Sequence, residues 1–228
     1  VTTLIAAIAG FLLGSIPFAL LIGLARGVDI RAVGSRNPGA TNLGRALGLK
    51  WFLLCFALDA AKGFAPTFVY ATLAGLDPPR LIPVESLAWL AVMACPVLGH
   101  MFSPWIGFKG GKGVATGLGA LLGVFPLLTV PALASLAVFL ATLAVWRFVG
   151  LSSVLAAGTL PLWVWYFFAT LHRGLPPGSG PSPTAAWPYL AVTVLLAALV
   201  IVKHRGNLAR LAAGTEPKVG RPRSPRGS

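Results

Sequence analysis

The chain has 228 residues, 57% of them hydrophobic and only 10% charged, with a mean hydropathy of +0.84. That balance excludes an ordinary soluble domain and marks an integral membrane protein. Its 18 Lys and Arg against 5 Asp and Glu give a formal charge of +13, but the cations lie in short loops and the tail, as membrane topology places them, so no nucleic-acid partner is expected.

A membrane helix needs about 20 largely apolar residues. Leu4 to Ala25 is the first; it lacks a basic leading region and reads as a span, not a cleaved signal. Gly14-Ser15-Ile16-Pro17 interrupts it, either as a simple proline kink or as a break whose freed backbone groups need neighbours or a cavity. Arg26 to Lys50 is polar and holds Asp29, Arg31, Ser35, Arg36, Asn37, Thr41, Asn42 and Arg45, with Pro38-Gly39 as a turn signal. A solvated loop and a binding loop both fit; a short helix starting within Asn37 to Thr41 would present N–H groups to an anion. Trp51 to Leu73 is the second span and carries Asp59 and Lys62 three residues apart on one face, where charges need a partner or a cavity. Cys55 in this run and Cys95 in the next read as small buried hydrophobes, with no disulfide or metal pair. Gly75 to Pro83 is a turn with Arg80, and Glu85 to Phe102 is the third span, with His100 near its end either capping carbonyls or touching a ligand.

Phe108-Lys109-Gly110-Gly111-Lys112-Gly113-Val114-Ala115-Thr116 follows, two cations and three glycines between apolar segments. Such a stretch exposes backbone N–H groups at the mouth of a helix beside two ammonium groups, a cradle for phosphate or carboxylate. It is not the nucleotide P-loop: only three residues separate Gly107 from Gly111-Lys112, and Gly113 follows the lysine. The plain alternative is a turn whose lysines mark a cytoplasmic helix end.

Val114 to Phe125 and Leu127 to Trp146, split by Pro126, predict a tight helical hairpin with a short first arm. Arg147 to Ser153 is a polar break, Val154 to Leu171 the next helix, and Gly174 to Thr184 an irregular loop rich in Pro, Gly and Ser. Ala185 to Val202 is the last helix and runs into Lys203-His204-Arg205-Gly206-Asn207-Leu208-Ala209-Arg210-Leu211. The reading is an all-α protein with one membrane domain, residues 1–217, and a basic disordered tail, residues 218–228.

Seven membrane segments put the chain ends on opposite sides. One side receives Arg26, Arg31, Arg36, Arg45, Lys50, Lys109, Lys112, Arg147 and the basic tail, while the other receives only Arg80 and Arg173. The positive-inside rule then sets the C-terminus in the cytoplasm and the N-terminus outside, and gathers the four main polar stretches on the cytoplasmic face of the cell membrane. That face holds no pair of carboxylates and no Cys/His cluster for a metal, so no cofactor is expected. A triad of Ser35, His204 and Asp29 has no motif context. What remains is a cationic pocket with a titratable histidine at the water-lipid boundary, suited to a phosphorylated small molecule meeting a lipid-soluble one.

Three stretches resemble the motifs of the bacterial membrane acyl-phosphate:glycerol-3-phosphate acyltransferases. They are Gly34 to Asn42 with Arg45; Gly99-His100 with Phe108 to Thr116; and His204 to Leu211 with Gly214-Thr215-Glu216. Gly14 to Pro17 and Leu58 to Gly63 match as well, so the likeness runs from about residue 10 to 218. The resemblance implies seven membrane helices and transfer of a fatty acyl group from acyl phosphate to the 1-hydroxyl of glycerol 3-phosphate, giving lysophosphatidate and inorganic phosphate. It implies catalytic roles for Ser35, His204 and Asn207. Arg45, Asn37, Thr41, Asn42, Lys109, Gly110, Gly111, Lys112, Gly113, Thr116, Ser153, Arg205 and Arg210 would bind phosphate and substrate, with Asp59, Lys62 and His100 in support. Both His204 and a substrate phosphate are candidates to take the hydroxyl proton. Arg36 stands where the family usually has Gly, Gly150 where Ser is common, and Gly206 where a polar residue is frequent. The rival class is an organic-phosphate transporter, which would often carry inverted repeats and a midplane site; the sequence has no internal repeat and its polar residues gather at one surface.

Overall fold

The computed structural model describes residues 1–78, 81–171 and 186–220, and every regular element among them is helical. The first span is α1, Thr2–Ser15, and α2, Phe18–Ala25; α3 is Ala40–Leu47 and α4 Leu49–Leu73. Then come α5, Pro83–Met101; α6, Val114–Gly123; α7, Thr129–Trp146; α8, Val149–Leu171; α9, Trp187–Lys203; and α10, Arg205–Ala212. Five helical stretches are long and apolar enough to cross a membrane, and α9 with α10, bent by 52° at His204, makes a sixth. α10 is polar, so the membrane-spanning part of that pair is Trp187–Lys203. With ten residues, α6 reaches only about 15 Å, half a hydrocarbon layer, in line with a short first hairpin arm.

The loop before α3 turns helical at Ala40, after an extended Gly39, inside the Asn37 to Thr41 stretch where the sequence places the helix start. One boundary differs from the sequence reading. The polar break after α7 is only Arg147 and Phe148; α8 starts at Val149 because Ser152 and Ser153 turn their hydroxyls back to Phe148 and Val149 carbonyls inside the helix. Arg80, Arg173 and the loop Gly174 to Thr184 lie outside the described residues, as do residues 221–228 of the tail.

The interruption at Gly14 to Pro17 is a true break, and protein groups satisfy its backbone. Ser103 Oγ donates to the Ser15 carbonyl at 2.6 Å, and Lys62 Nζ donates to the Ile16 carbonyl at 2.7 Å. A broken helix is tolerated at membrane depth when neighbours take over its carbonyls in this way. α4 and α6 lie so close at Gly63 and Gly119 that a Cβ on either would strike the facing backbone, the small-residue contact that lets membrane helices approach. A core of Trp89, Met93, Val97, Leu128, Val164, Phe168 and Tyr189 joins α5 to α7, α8 and α9. Together these contacts bring the ends of α5 and α9, the start of α6 and the loop before α3 to one place.

Candidate active site

The cradle leaves α5 through a 3₁₀ turn, Pro104–Ile106, and enters α6 at Gly113, whose φ of +76° is a left-handed conformation that glycine adopts without strain. The Gly111 N–H donates to the His100 carbonyl at 3.0 Å, which folds the loop back onto the end of α5. Beside it opens a polar basin of about 270 Å³. Ser35, Arg36 and Asn37 come from the loop before α3, Lys109, Gly110 and Lys112 from the cradle, Lys203 from the end of α9, and Asn207 and Arg210 from α10. Three separate stretches of sequence thus meet at one cationic cavity.

Its interior is a chain of polar contacts. Lys112 Nζ donates to Asn207 Oδ1. Asn207 Nδ2 donates to Glu216 Oε1 at 2.6 Å, and Arg210 Nε donates to Glu216 Oε2 at 2.8 Å. The buried Glu216 carboxylate therefore fixes both Asn207 and Arg210. Burial pushes the Lys112 ammonium down to about 8; Glu216 opposes that, while Arg210 and Arg45 add to it. Lys203 donates to the Met101 carbonyl at 2.8 Å and lies over the Phe102 ring, so it both ties α9 to α5 and lines the basin. Neither Lys203 nor Glu216 stood among the sequence candidates. Position was the available signal: one precedes His204 and the other ends the third motif.

Other candidates sit around the basin and not in its wall. Asn42 is buried and acts on backbone: its Oδ1 accepts the Ser35 N–H at 2.9 Å, and its Nδ2 donates to the carbonyls of Ile30 at 2.8 Å and Val33 at 3.2 Å, which shapes the loop carrying Ser35. Thr41 lies in the first turn of α3, while Arg45, in its last turn, donates to the Pro217 carbonyl at 3.3 Å. Thr116 is fully buried between α6 and α4. Arg205 is exposed at the start of α10. His204 is buried just beyond the end of α9, with Nδ1 at 2.8 Å from the Val200 carbonyl. That contact makes Nδ1 the protonated nitrogen of the neutral ring. Burial, and then the Lys112 charge, push its pKa down to about 4. Asp29 pairs with exposed Arg31 at 2.8 Å, so the triad of Ser35, His204 and Asp29 is not assembled.

An apolar groove lies on the other side of the cradle. Gly113, Gly117 and Leu121 of α6, Ser135 and Phe139 of α7, Ser153, Ala157 and Leu160 of α8, and Leu196 and Val200 of α9 line it. Ser153 and Gly113 thus face the groove and not the basin. Lys112 lines the basin and Gly113 the groove, so the walls of the two cavities adjoin at one peptide unit. Among the described residues no three His, Cys, Asp or Glu side chains gather in a metal-binding group.

The model of the glycerol-3-phosphate acyltransferase family matches residues 4–214. The chain belongs to the glycerol-3-phosphate acyltransferase family. It is 42% identical over 212 residues to a glycerol-3-phosphate acyltransferase of Trichlorobacter lovleyi, covering 92% of this chain and 95% of that one. With the glycerol-3-phosphate acyltransferase of Thermosynechococcus vestitus it is 41% identical over 221 residues, 94% and 93% of the two chains. Two crystal structures of PlsY (YgiH), described as an integral membrane glycerol 3-phosphate acyltransferase in its glycerol 3-phosphate and lysophosphatidic acid forms, superpose with a TM-score of 0.76. Each is 36% identical and covers 96% of both chains. The resemblance read from the three motifs is borne out, and the protein is an integral membrane acyltransferase.

Two departures from the family pattern now have a geometry. Arg36, where a glycine is usual, has φ +58° and so holds a left-handed conformation that costs a side-chain-bearing residue about 1 kcal/mol, while its guanidinium joins the basin wall. At Gly150 a Cβ would lie 2.6 Å from Asn207 Cβ, so in this acyltransferase α8 approaches Asn207 where a larger residue would need it to shift. Gly206 is open: the nearest atom to a Cβ there is Arg210 Nη1 at 3.6 Å.

Proposed function

We propose that this acyltransferase moves a fatty acyl group from acyl phosphate to the 1-hydroxyl of glycerol 3-phosphate, giving lysophosphatidate and inorganic phosphate. The observation that carries this reading is the junction of the cationic basin and the apolar groove at Lys112 and Gly113. A donor with a phosphate at one end and an alkyl chain at the other fits such a junction, with its carbonyl carbon at the boundary. Lys109, Lys112, Lys203, Arg36 and Arg210 supply the positive field, and the cradle amides supply directed donors.

The hydroxyl oxygen attacks the acyl carbonyl carbon, the bond from that carbon to the phosphate oxygen breaks, and phosphate departs with the electron pair. The basin cations stabilise the charge that develops on the leaving phosphate. Ser35, Asn37 and Asn207 orient the acceptor from the basin wall, and Arg45 and Arg205 add positive charge from outside it. Thr41, Asn42 and Thr116 hold the walls from behind. The proton passes to a substrate phosphate, because His204 lies behind the basin wall with its basicity lowered; His204 sets the turn that presents Asn207. The protein crosses the membrane seven times, counting short α6, with the C-terminus and the basin in the cytoplasm. Residues 1–217 form its single domain, and the basic tail follows.

Gly117 tests the junction. It faces the groove, and a Cβ there meets nothing within 4 Å, so Gly117→Leu directs its side chain into the groove. The expected result is a raised KM for acyl phosphate of long chain with the KM for glycerol 3-phosphate unchanged. Unchanged kinetics for both substrates in the folded variant would sever the groove from the reaction.

A further inference from the structure

Asp59, Lys62 and His100 form a buried ionic cluster that no step above uses. Their exposures are 2%, 3% and 8%, too low for solvated charges at the centre of a helix bundle. Lys62 Nζ sits 2.8 Å from Asp59 Oδ1, and the same ammonium donates to the Ile16 carbonyl at the break of the first span. The Cys55 thiol donates to Asp59 Oδ2 at 3.6 Å, and His100 Nδ1 stands 3.7 Å from Asp59 Oδ1. The other edge of the imidazole points at the cradle: His100 Nε2 occupies the place that a Cβ on Gly111 would take. The His100 carbonyl accepts the Gly111 N–H at 3.0 Å. One continuous set of contacts therefore runs from the broken first span through α4 and α5 to the floor of the phosphate cradle.

Burying an ion pair is a poor way to gain stability, since apolar residues of similar size do as well or better. A role in position accounts for its cost. We propose that Asp59, Lys62 and His100 are positioning residues, which fix the imidazole as the floor beneath Gly110 and Gly111 and so set the cradle's affinity for phosphate without touching the reacting atoms. This rests on the reading that the cradle holds a substrate phosphate.

The test uses full-length protein in detergent, with glycerol 3-phosphate binding followed by calorimetry beside kcat, KM and thermal midpoint. His100→Ala and Asp59→Asn are expected to weaken binding at least tenfold while kcat at saturation stays within threefold, and His100→Gln, which restores a polar atom near Nε2, recovers part of the loss. Folded variants with wild-type affinity, or with lower kcat and unchanged affinity, overturn the proposal. Gly111→Ala gives an independent arm, because its Cβ must displace the ring. It should weaken binding, and His100→Ala added to it should weaken binding no further; wild-type binding by Gly111→Ala, or fully additive losses, would defeat the proposal. Binding by wild type tests the functional reading separately, and inorganic phosphate as probe gives the same ratios of variant to wild type if glycerol 3-phosphate is not the ligand.

Discussion

Lys112 gives the sharpest quantitative handle on the basin. Its ammonium is held by Asn207 at the point where basin and groove meet, and burial lowers its pKa to about 8, well under the ordinary 10.5. A bound phosphate requires the charged form, so above pH 8 the free site must take up a proton to bind. Apparent affinity then falls about tenfold for each pH unit beyond 8, reaching roughly an elevenfold loss at pH 9. The sign for stability is opposite: a lysine with a depressed pKa burdens the folded state below pH 8, and the burden lifts as pH rises from about 8 toward 10.5. The assay is the KM for each substrate from pH 7 to 9.5, a range where phosphate monoesters are already dianions. Wild type should show KM rising from pH 8, Lys112→Ala a high KM without that rise, and Lys112→Arg a KM that stays level to pH 9.5. A wild-type KM that is flat through pH 9, or a rise that survives Lys112→Ala, would refute the reasoning.

Three further outcomes follow from the geometry. Arg36→Gly relieves the left-handed backbone strain and removes one basin cation, so thermal denaturation should show roughly 1 kcal/mol more stability while steady-state kinetics show a raised KM; a KM equal to wild type would take Arg36 out of the basin. His204→Gln should keep kcat within tenfold and mainly raise the KM for glycerol 3-phosphate, whereas loss of a general base would lower kcat by at least about 10²; a fall of that size would return the proton to His204. Turnover should survive excess chelator, measured as phosphate release, and a loss restored by magnesium would bring a divalent ion into the mechanism.

The sequence carried the arrangement of polar stretches further than their contacts. Hydropathy located the helices, and the clustering of Arg and Lys in alternate loops pointed to one face, because both signals are local in the chain. Three of the four polar stretches meet at the basin for that reason, while the fourth, Arg147 to Ser153, sends Ser153 to the apolar groove. The roles of individual residues were less legible. Asn42 resembled a ligand by type and company, yet it braces backbone carbonyls of residues 30 and 33, contacts set by how the loop folds over α3. Ser153 reads in sequence as part of a polar break, but its hydroxyl is satisfied one turn back within α8, and the residue faces apolar space. Lys203 and Glu216 act through partners about a hundred and about ten residues away, Met101 and Asn207, which spacing alone does not reveal. The charges Asp59 and Lys62 were read as a pair from their i, i+3 spacing; their links to His100 and to the break at Ile16 come only from packing of α1, α4 and α5.

The central claim is direct transfer between two substrates held across the Lys112–Gly113 junction, and product analysis tests it most directly. Purified protein in detergent is mixed with a long-chain acyl phosphate, with and without glycerol 3-phosphate, while released phosphate and acylated product are quantified together. The account predicts one lysophosphatidate acylated at the 1-position for each phosphate released, and no release above background without glycerol 3-phosphate. Phosphate released equally without the acceptor, or transport of organic phosphate into vesicles with no acylated product, would contradict it.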